Sequence, residues 1–104
     1  MISQKSFGQL KKVRFLIIRR VKGDSMKPTL KSDDIVVGSR LIAPKLNKLV
    51  IVSYNGRDII KRVKSIKKDS LYIVGDNEAR STDSRHFGWV SKESLTATVI
   101  WPKK

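Results

Sequence analysis

Short apolar runs separated by turn residues recur along most of the chain. Their residues alternate between apolar and polar with a period of two, and no run keeps the 3.6-residue period of an amphipathic helix. The pattern predicts a mostly β fold. The predicted strands cover residues 13–21, 35–39, 49–54, 58–66, 71–74 and 96–101.

Turn residues define the connections between these strands. Asn55-Gly56 predicts a tight hairpin, because a type I′ turn needs positive φ at both central positions. Residues 67–70 predict the next turn, and residues 75–92, rich in Gly, Asp, Asn and Ser, predict a long functional loop. No repeat or interdomain linker interrupts the pattern, so we expect a basic arm over residues 1–12 and one folded domain over 13–104.

Composition excludes several kinds of site. The chain has 104 residues, enough for one domain with its own core. It contains no cysteine and one histidine, which excludes a disulfide framework, a thiolate nucleophile and a multi-histidine metal centre. We therefore expect neither a metal nor a cofactor.

The charge is strongly positive, at +14. The first 22 residues contain seven cations and no acid: Lys5, Lys11, Lys12, Arg14, Arg19, Arg20 and Lys22. Such a surface attracts nucleic acid, anionic lipid or an acidic partner. The longest apolar run near the start has four residues, 15–18, whereas a membrane span takes about 20 and a secretory signal about 7–15. The expectation is a soluble protein, cytoplasmic or peripherally attached to an anionic membrane.

Ser25 lies within the segment 23–30, which reads Gly-Asp-Ser-Met-Lys-Pro-Thr-Leu. Gly23 permits a tight backbone approach and Pro28 fixes φ shortly afterwards, which predicts a turn that presents the hydroxyl. A hydroxyl is a poor nucleophile unless a neighbour removes its proton. Any chemistry at Ser25 therefore depends on a base elsewhere in the chain.

Lys61 is a candidate for that base. Strand alternation places it on one face with Ile59 and Val63. Apolar neighbours disfavour the ammonium form and lower the lysine pKa from about 10.4, whereas an unshifted lysine is neutral in only about one molecule in a thousand near pH 7.4. The alternative is a strand lysine that extends over Ile59 into solvent.

Ser81, Asp83 and Arg85 follow at a spacing of two. If this segment is extended, their side chains point the same way. Asp83 and Arg85 would then pair and hold the Ser81 hydroxyl toward Lys61, where it orients the amine.

His86 is the only imidazole in the chain. A serine triad would combine it with Ser25 and with Asp83 or Asp76. The lysine interpretation explains more of the motifs, and we favour it over the triad.

Three ordered motifs resemble the catalytic core of the type I signal peptidases, which use a serine and lysine dyad. The motifs read G-D-S-M-K-P-T-L, I-K-R-V and G-D-N-E-A-R-S-T-D-S-R-H-F-G-W-V, within a resemblance that covers residues 14–101. The resemblance implies that Ser25 is the nucleophile and Lys61 the general base. It also implies a small coiled, barrel-like β-sheet domain that binds extended polypeptides with small side chains at the cleavage site.

The same resemblance implies supporting roles for neighbouring residues. Ser81 matches the accessory hydroxyl, and Asp83 and Arg85 match the pair that supports it. We expect the oxyanion site and the substrate cleft to be formed by other residues of the first and third motifs, namely Gly23, Asp24, Met26, Asp76 and Asn77.

The chain departs from the larger members of that family. We expect neither the membrane anchor nor the large accessory β domain of those members, and Lys-Ser-Ile-Lys replaces the Pro-Gly-Asp that commonly follows Lys-Arg-Val. Gly23 stands where some members have a serine that donates to the oxyanion. The backbone N–H of Ser25 must therefore act with another donor.

The short form and the ending Val-Ile-Trp-Pro are similar to the nickel-type superoxide dismutase maturation proteases. Those enzymes remove an N-terminal leader so that the new amino terminus binds nickel. The predicted function is accordingly a serine endopeptidase that removes a leader or signal peptide. The alternative is a catalytically inactive basic module that docks on anionic membrane or nucleic acid, although no motif for reading a specific nucleic acid is present. Autopeptidases of the SOS repressor type are disfavoured, because the chain shows neither a DNA-binding domain nor an internal cleavage segment.

Overall fold

The structure is a computed structural model that describes residues 15–104. Seven strands form one antiparallel sheet, and the predicted mostly β fold is confirmed. The strands are β1 (Leu16–Arg20), β2 (Ile35–Ser39), β3 (Leu49–Tyr54), β4 (Arg57–Ile66), β5 (Ser70–Val74), β6 (Val90–Ser91) and β7 (Leu95–Trp101). The predicted arm over residues 1–12, and the start of the first predicted strand at residues 13 and 14, lie outside the described residues.

The strand order across the sheet is β1-β2-β7-β3-β4-β5-β6. The final strand β7 therefore lies in the middle, paired with β2 on one side and β3 on the other. The sheet is open, with β1 and β6 at its edges.

The hairpin between β3 and β4 turns at Asn55-Gly56, as predicted. Asn55 has φ 50° and Gly56 has φ 77°, the left-handed values that a type I′ turn needs. Tyr54 pairs with Arg57 across the turn, which fixes the register of the hairpin as far as Leu49 opposite Arg62. This register decides which face of β4 carries Lys61.

Apolar side chains are buried in two clusters, which draw on alternate residues of the central strands. The first cluster contains Ile17, Val21, Met26, Leu30, Val36, Leu49, Ile51, Ile60 and Ala97. The second contains Val50, Val52, Val63, Leu71, Ile73 and Val90, with Ile59 packed against it. Strand β4 contributes to both clusters, so a polar side chain in its middle is enclosed by apolar neighbours.

The region 75–92 is more regular than the long loop that we predicted. It contains a 3-10 turn at Glu78–Arg80, a four-residue helix α1 at Ser84–Phe87, and the short strand β6. A helix of four residues is too short to show a periodic pattern, which explains why the sequence did not reveal it. Within residues 15–104, no helix is long and apolar enough to cross a membrane.

Candidate active site

Ser25 lies in the connection between β1 and β2, which we call the Ser25 loop (residues 21–34). Met26 and Leu30 anchor this loop, because both side chains are buried in the first cluster and the Leu30 N–H donates to the Met26 carbonyl at 2.9 Å. The backbone N–H of Asn77 donates to the Ser25 carbonyl at 2.8 Å. Ser25 is thus held from both sides and keeps a half-buried position.

Lys61 is buried in the middle of β4, with only 4% of its surface exposed. It pairs with Val50 of β3 and lies between Ile59 and Val63, as the alternation predicted. Burial lowers the pKa of the Lys61 amine from its ordinary value, and the nearby Asp83 partly opposes this shift. This shift increases the fraction of neutral amine, the form that accepts a proton.

A chain of hydrogen bonds orients the Lys61 amine. Its Nζ donates to Ser81 Oγ at 3.2 Å, and Ser81 Oγ in turn donates to Asp83 Oδ2 at 2.5 Å. Both Ser81 and Asp83 are buried. One amine hydrogen of Lys61 is thus bonded to Ser81. This bond fixes the direction of the other hydrogen and of the lone pair of a neutral Lys61 amine.

Asp83 is the centre of this network and is fully buried. It accepts hydrogen bonds from Arg85 Nε at 3.0 Å, from Arg85 Nη2 at 2.7 Å and from the Gly75 N–H at 2.7 Å. Burial alone would raise the pKa of the Asp83 carboxyl, but these bonds and the Ser81 bond outweigh burial and hold the pKa well below its usual range. Asp83 is therefore ionised at neutral pH.

The structure brings Ser81, Asp83 and Arg85 together, although not for the reason that the spacing suggested. Ser81 and Asp83 have extended backbone, as expected, but the chain enters α1 at Ser84, where Asp83 is the N-cap and accepts a hydrogen bond from the Arg85 N–H at 3.0 Å. Arg85 therefore reaches Asp83 from the first turn of the helix. The extended segment ends before Arg85, and the helix cap brings Arg85 to Asp83.

Ser25 and Lys61 line the same cleft, which has a volume of about 560 Å³. Gly23, Asp24 and Met26, expected along the cleft, line it as well. Among the described residues, the hydroxyl of Ser25 makes no hydrogen bond to Lys61. Contacts between a nucleophile and its base are commonly long in a free site and tighten when substrate binds.

Asp76 and Asn77 are not among the residues that line the cleft. Asp76 accepts two hydrogen bonds from Arg62, at 2.8 and 2.7 Å, and one from Thr29 Oγ1 at 2.5 Å. Asn77 Nδ2 donates to the Asp24 carbonyl at 3.0 Å. Both residues therefore hold the Ser25 loop in place, Asp76 through Thr29 and Asn77 through the Asp24 carbonyl.

Sequence reasoning missed the two partners of Asp76. Arg62 and Thr29 belong to motifs that we singled out, I-K-R-V and G-D-S-M-K-P-T-L, but neither was assigned a role. A bidentate pair of a guanidinium with a carboxylate is among the stronger polar contacts. Through this pair and the hydrogen bond from Thr29 to Asp76, β4, which carries Lys61, is tied to the loop that carries Ser25.

His86 occupies a structural position. Its Nδ1 accepts the Asp83 N–H at 3.3 Å in a capping box, and its side chain is 56% exposed. It is not among the residues that line the cleft with Ser25. The geometry gives no support to a triad of Ser25, His86 and Asp83.

Gly75→Ala is expected to disrupt the site. An added Cβ would lie 2.7 Å from the Ser25 carbonyl oxygen and would collide with the Ser81 hydroxyl. Because backbone and buried side chains must both move, we expect a loss of about 1–3 kcal/mol in the free energy of unfolding and of about 10²-fold in any catalytic rate. Denaturant unfolding and a cleavage assay would measure the two effects.

Gly56→Ala is the matched control. A Cβ there would meet no atom within 4 Å, and only the positive φ of 77° opposes it. It should lose about 1 kcal/mol of stability and keep its rate. A Gly75→Ala protein that matched the wild type in rate would contradict the close packing of these two segments.

Comparison with known proteins identifies the family of the chain. A family model described as Peptidase S24-like matches residues 4–90. The signal peptidase I of Buchnera aphidicola subsp. Schizaphis graminum (strain Sg) is 33% identical over 63 residues, which cover 59% of this chain and 20% of that protein. The chain thus spans about a fifth of the length of this curated relative. Since the family model matches well over half of the residues, the chain belongs to the Peptidase S24-like family.

Proposed function

We propose that the protein is a serine endopeptidase in which Ser25 is the nucleophile and Lys61 the general base, and that it removes an N-terminal leader or signal peptide. The observation that carries the proposal is the buried Lys61 amine, oriented by Ser81 within the cleft that Ser25 also lines. Membership of a peptidase family supports the same reaction.

Acylation would begin at the Ser25 hydroxyl. Neutral Lys61 Nζ takes its proton while Oγ attacks the scissile carbonyl carbon. The resulting oxyanion is stabilised by hydrogen-bond donors, and the Ser25 N–H is available for this, since no residue of the range 15–104 accepts it. The C–N bond then breaks, the protonated Lys61 gives its proton to the leaving amine, and the acyl group remains on Ser25.

Deacylation would use the same groups in reverse. Lys61, neutral again, takes a proton from a water molecule that attacks the ester carbonyl. The acid product leaves as Lys61 returns the proton to Ser25 Oγ. Ser81 acts through Lys61 as a positioning residue, because its hydroxyl fixes the amine in both half-reactions.

The position of the cleft supports an extended polypeptide substrate. Strand β1 lies at the edge of the sheet, and its last residues, Arg19 and Arg20, line the cleft. An edge strand can pair with an added strand through its free backbone groups. The similarity to the nickel-type maturation proteases makes a nickel superoxide dismutase precursor our preferred substrate.

The first test is mass spectrometry of a mixed peptide library incubated with the protein at pH 7–9. We expect cuts with the wild type and none with Ser25→Ala, and the flanking residues would show whether small side chains are preferred. The dismutase precursor would be assayed in parallel. Cleavage only in the presence of anionic vesicles would add peripheral membrane binding, whereas no cleavage under any condition would favour the basic binding module.

The pH dependence of cleavage is a second expectation. Because the base must be neutral, kcat/KM should rise with pH through the pKa of Lys61, and burial places that midpoint below the ordinary 10.5. A pH series on the wild type would measure it. The His86→Ala protein should give the same curve, because His86 caps α1 away from the cleft. Loss of cleavage in the His86→Ala protein would instead support the triad.

A further inference from the structure

The cleft around Ser25 carries an unusual excess of positive charge. Apart from the buried Lys61, five cations and two carboxylates line it. The cations are Arg19, Arg20, Lys22, Arg57 and Arg80, and the carboxylates are Asp24 and Asp58.

Both of these carboxylates already have cationic partners. Asp58 Oδ2 accepts a hydrogen bond from Arg19 Nε at 2.7 Å, and Asp24 Oδ1 lies 3.3 Å from Lys27 Nζ. Arg20 lies 3.8 Å from Asp33, outside the cleft. Both carboxylates that line the cleft are therefore paired, and the other cations of the cleft have no carboxylate partner there.

Three cations remain without a carboxylate within 4 Å in the described part of the chain: Lys22, Arg57 and Arg80. They come from three separate elements, the Ser25 loop, the start of β4 and the 3-10 turn before Ser81, and all three are exposed. Residues 1–14 contain no acid, so the N-terminal sequence supplies no partner either. Unpaired like charges around one cleft repel each other and attract a negatively charged ligand.

We propose that this cleft selects polypeptides with Asp or Glu side chains next to the scissile bond, and that Lys22, Arg57 and Arg80 bind these carboxylates. The proposal rests on the peptidase function above and names its substrate class. The cleft also contains the apolar residues Val21, Ile59 and Ile60, and no aromatic side chain of the described residues lines it. Bases of single-stranded nucleic acid bind by stacking on aromatic rings, so this lining fits an acidic polypeptide better.

The test compares pairs of peptides that differ only at the positions beside the cut, Asp or Glu in one and Asn or Gln in the other. We expect kcat/KM to be higher for the acidic peptide by about two- to fivefold per carboxylate at low salt, chiefly through KM. The preference should shrink as salt is raised. Combined substitution of Lys22→Gln, Arg57→Gln and Arg80→Gln should abolish it, and Lys68→Gln, an exposed cation outside the cleft, should leave it intact.

A binding measurement separates this proposal from the peptidase function. The Ser25→Ala protein is titrated into labelled acidic and neutral peptides, and anisotropy is followed with and without a single-stranded DNA competitor of equal charge. Tighter binding of the acidic peptide, lost in the triple variant, supports the preference even if no peptide is cleaved, in which case only the proposed reaction fails. Equal binding and equal cleavage of the two peptides would overturn the preference, as would DNA that displaces the acidic peptide at a lower concentration than the unlabelled peptide itself.

Discussion

Lys61→Met is expected to lower the rate of peptide cleavage by about 10⁴-fold or more while the protein stays folded. Methionine has a similar length and fits an apolar site, but it accepts no proton. Without a base the Ser25 hydroxyl keeps its proton, and the attack on the carbonyl lacks an activated nucleophile. Mass spectrometry of a peptide that the wild type cuts would measure the loss.

The fold should tolerate this change because of what surrounds Lys61. Its side chain lies between Ile59 and Val63, and within residues 15–104 its amine forms a hydrogen bond to Ser81 alone. Ser81 keeps its bond to Asp83 when the amine is removed. Replacing a buried ionisable group by an apolar one of similar volume is often neutral or stabilising, so the unfolding midpoint should not fall.

Two further variants make the result specific to a neutral amine. Lys61→Arg keeps a donor for Ser81 but stays charged at every accessible pH, so it should be as inactive as Lys61→Met. Lys64→Met changes an exposed lysine of the same strand and should leave the rate unchanged. A Lys61→Met protein with near wild-type activity would refute the dyad.

Much of the site's framework was predictable because strands repeat every two residues. The bounds of β2 and β3 agree with the prediction, and Asn55-Gly56 locates the hairpin that sets the register of β4. Once that register holds, Lys61 must share a face with Ile59 and Val63. The face that carries Lys61 therefore follows from the local pattern, whereas its burial depends on the packing of the two apolar clusters to which β4 contributes.

The region after β5 was less predictable, because tertiary contacts determine it. Helix α1 has four residues, and its start depends on the side chain of Asp83, which also accepts from Gly75 on a neighbouring segment. The position of β7 between β2 and β3 is equally invisible to a period-2 pattern, which defines faces and not neighbours. The grouping of Arg57 with Arg80 along the cleft arises in the same way, from residues distant in sequence.

Asp83→Ala is expected to cause the largest loss of stability of any single change at the site. The carboxylate is fully buried and accepts bonds from Arg85, the Gly75 N–H and Ser81. Removing it leaves the buried Gly75 N–H without its acceptor and takes from the Arg85 guanidinium its buried carboxylate partner, which costs about 3–5 kcal/mol in the free energy of unfolding. Urea unfolding at pH 7 would measure the loss.

Glu78→Gln is the matched control for Asp83→Ala. Glu78 contacts the same Arg85 side chain at 3.1 Å, but it is 82% exposed. Solvent screens an exposed pair, so its loss should change the unfolding free energy little. If both variants lost the same unfolding free energy, burial of Asp83 would not be the source of its contribution to stability.

Acid should remove the contribution of Asp83 in the wild type. Hydrogen bonds from Arg85, Gly75 and Ser81 outweigh burial and hold the folded-state pKa of Asp83 below its unfolded value, near 3.9. The stabilisation is therefore complete above about pH 4 and declines as pH falls toward the lower, folded-state pKa. Urea unfolding of the wild type and the Asp83→Asn protein should give a constant difference from pH 7 to 5 that narrows below pH 4. A difference that stayed constant to the lowest pH would show that the Asp83 charge does not stabilise the fold.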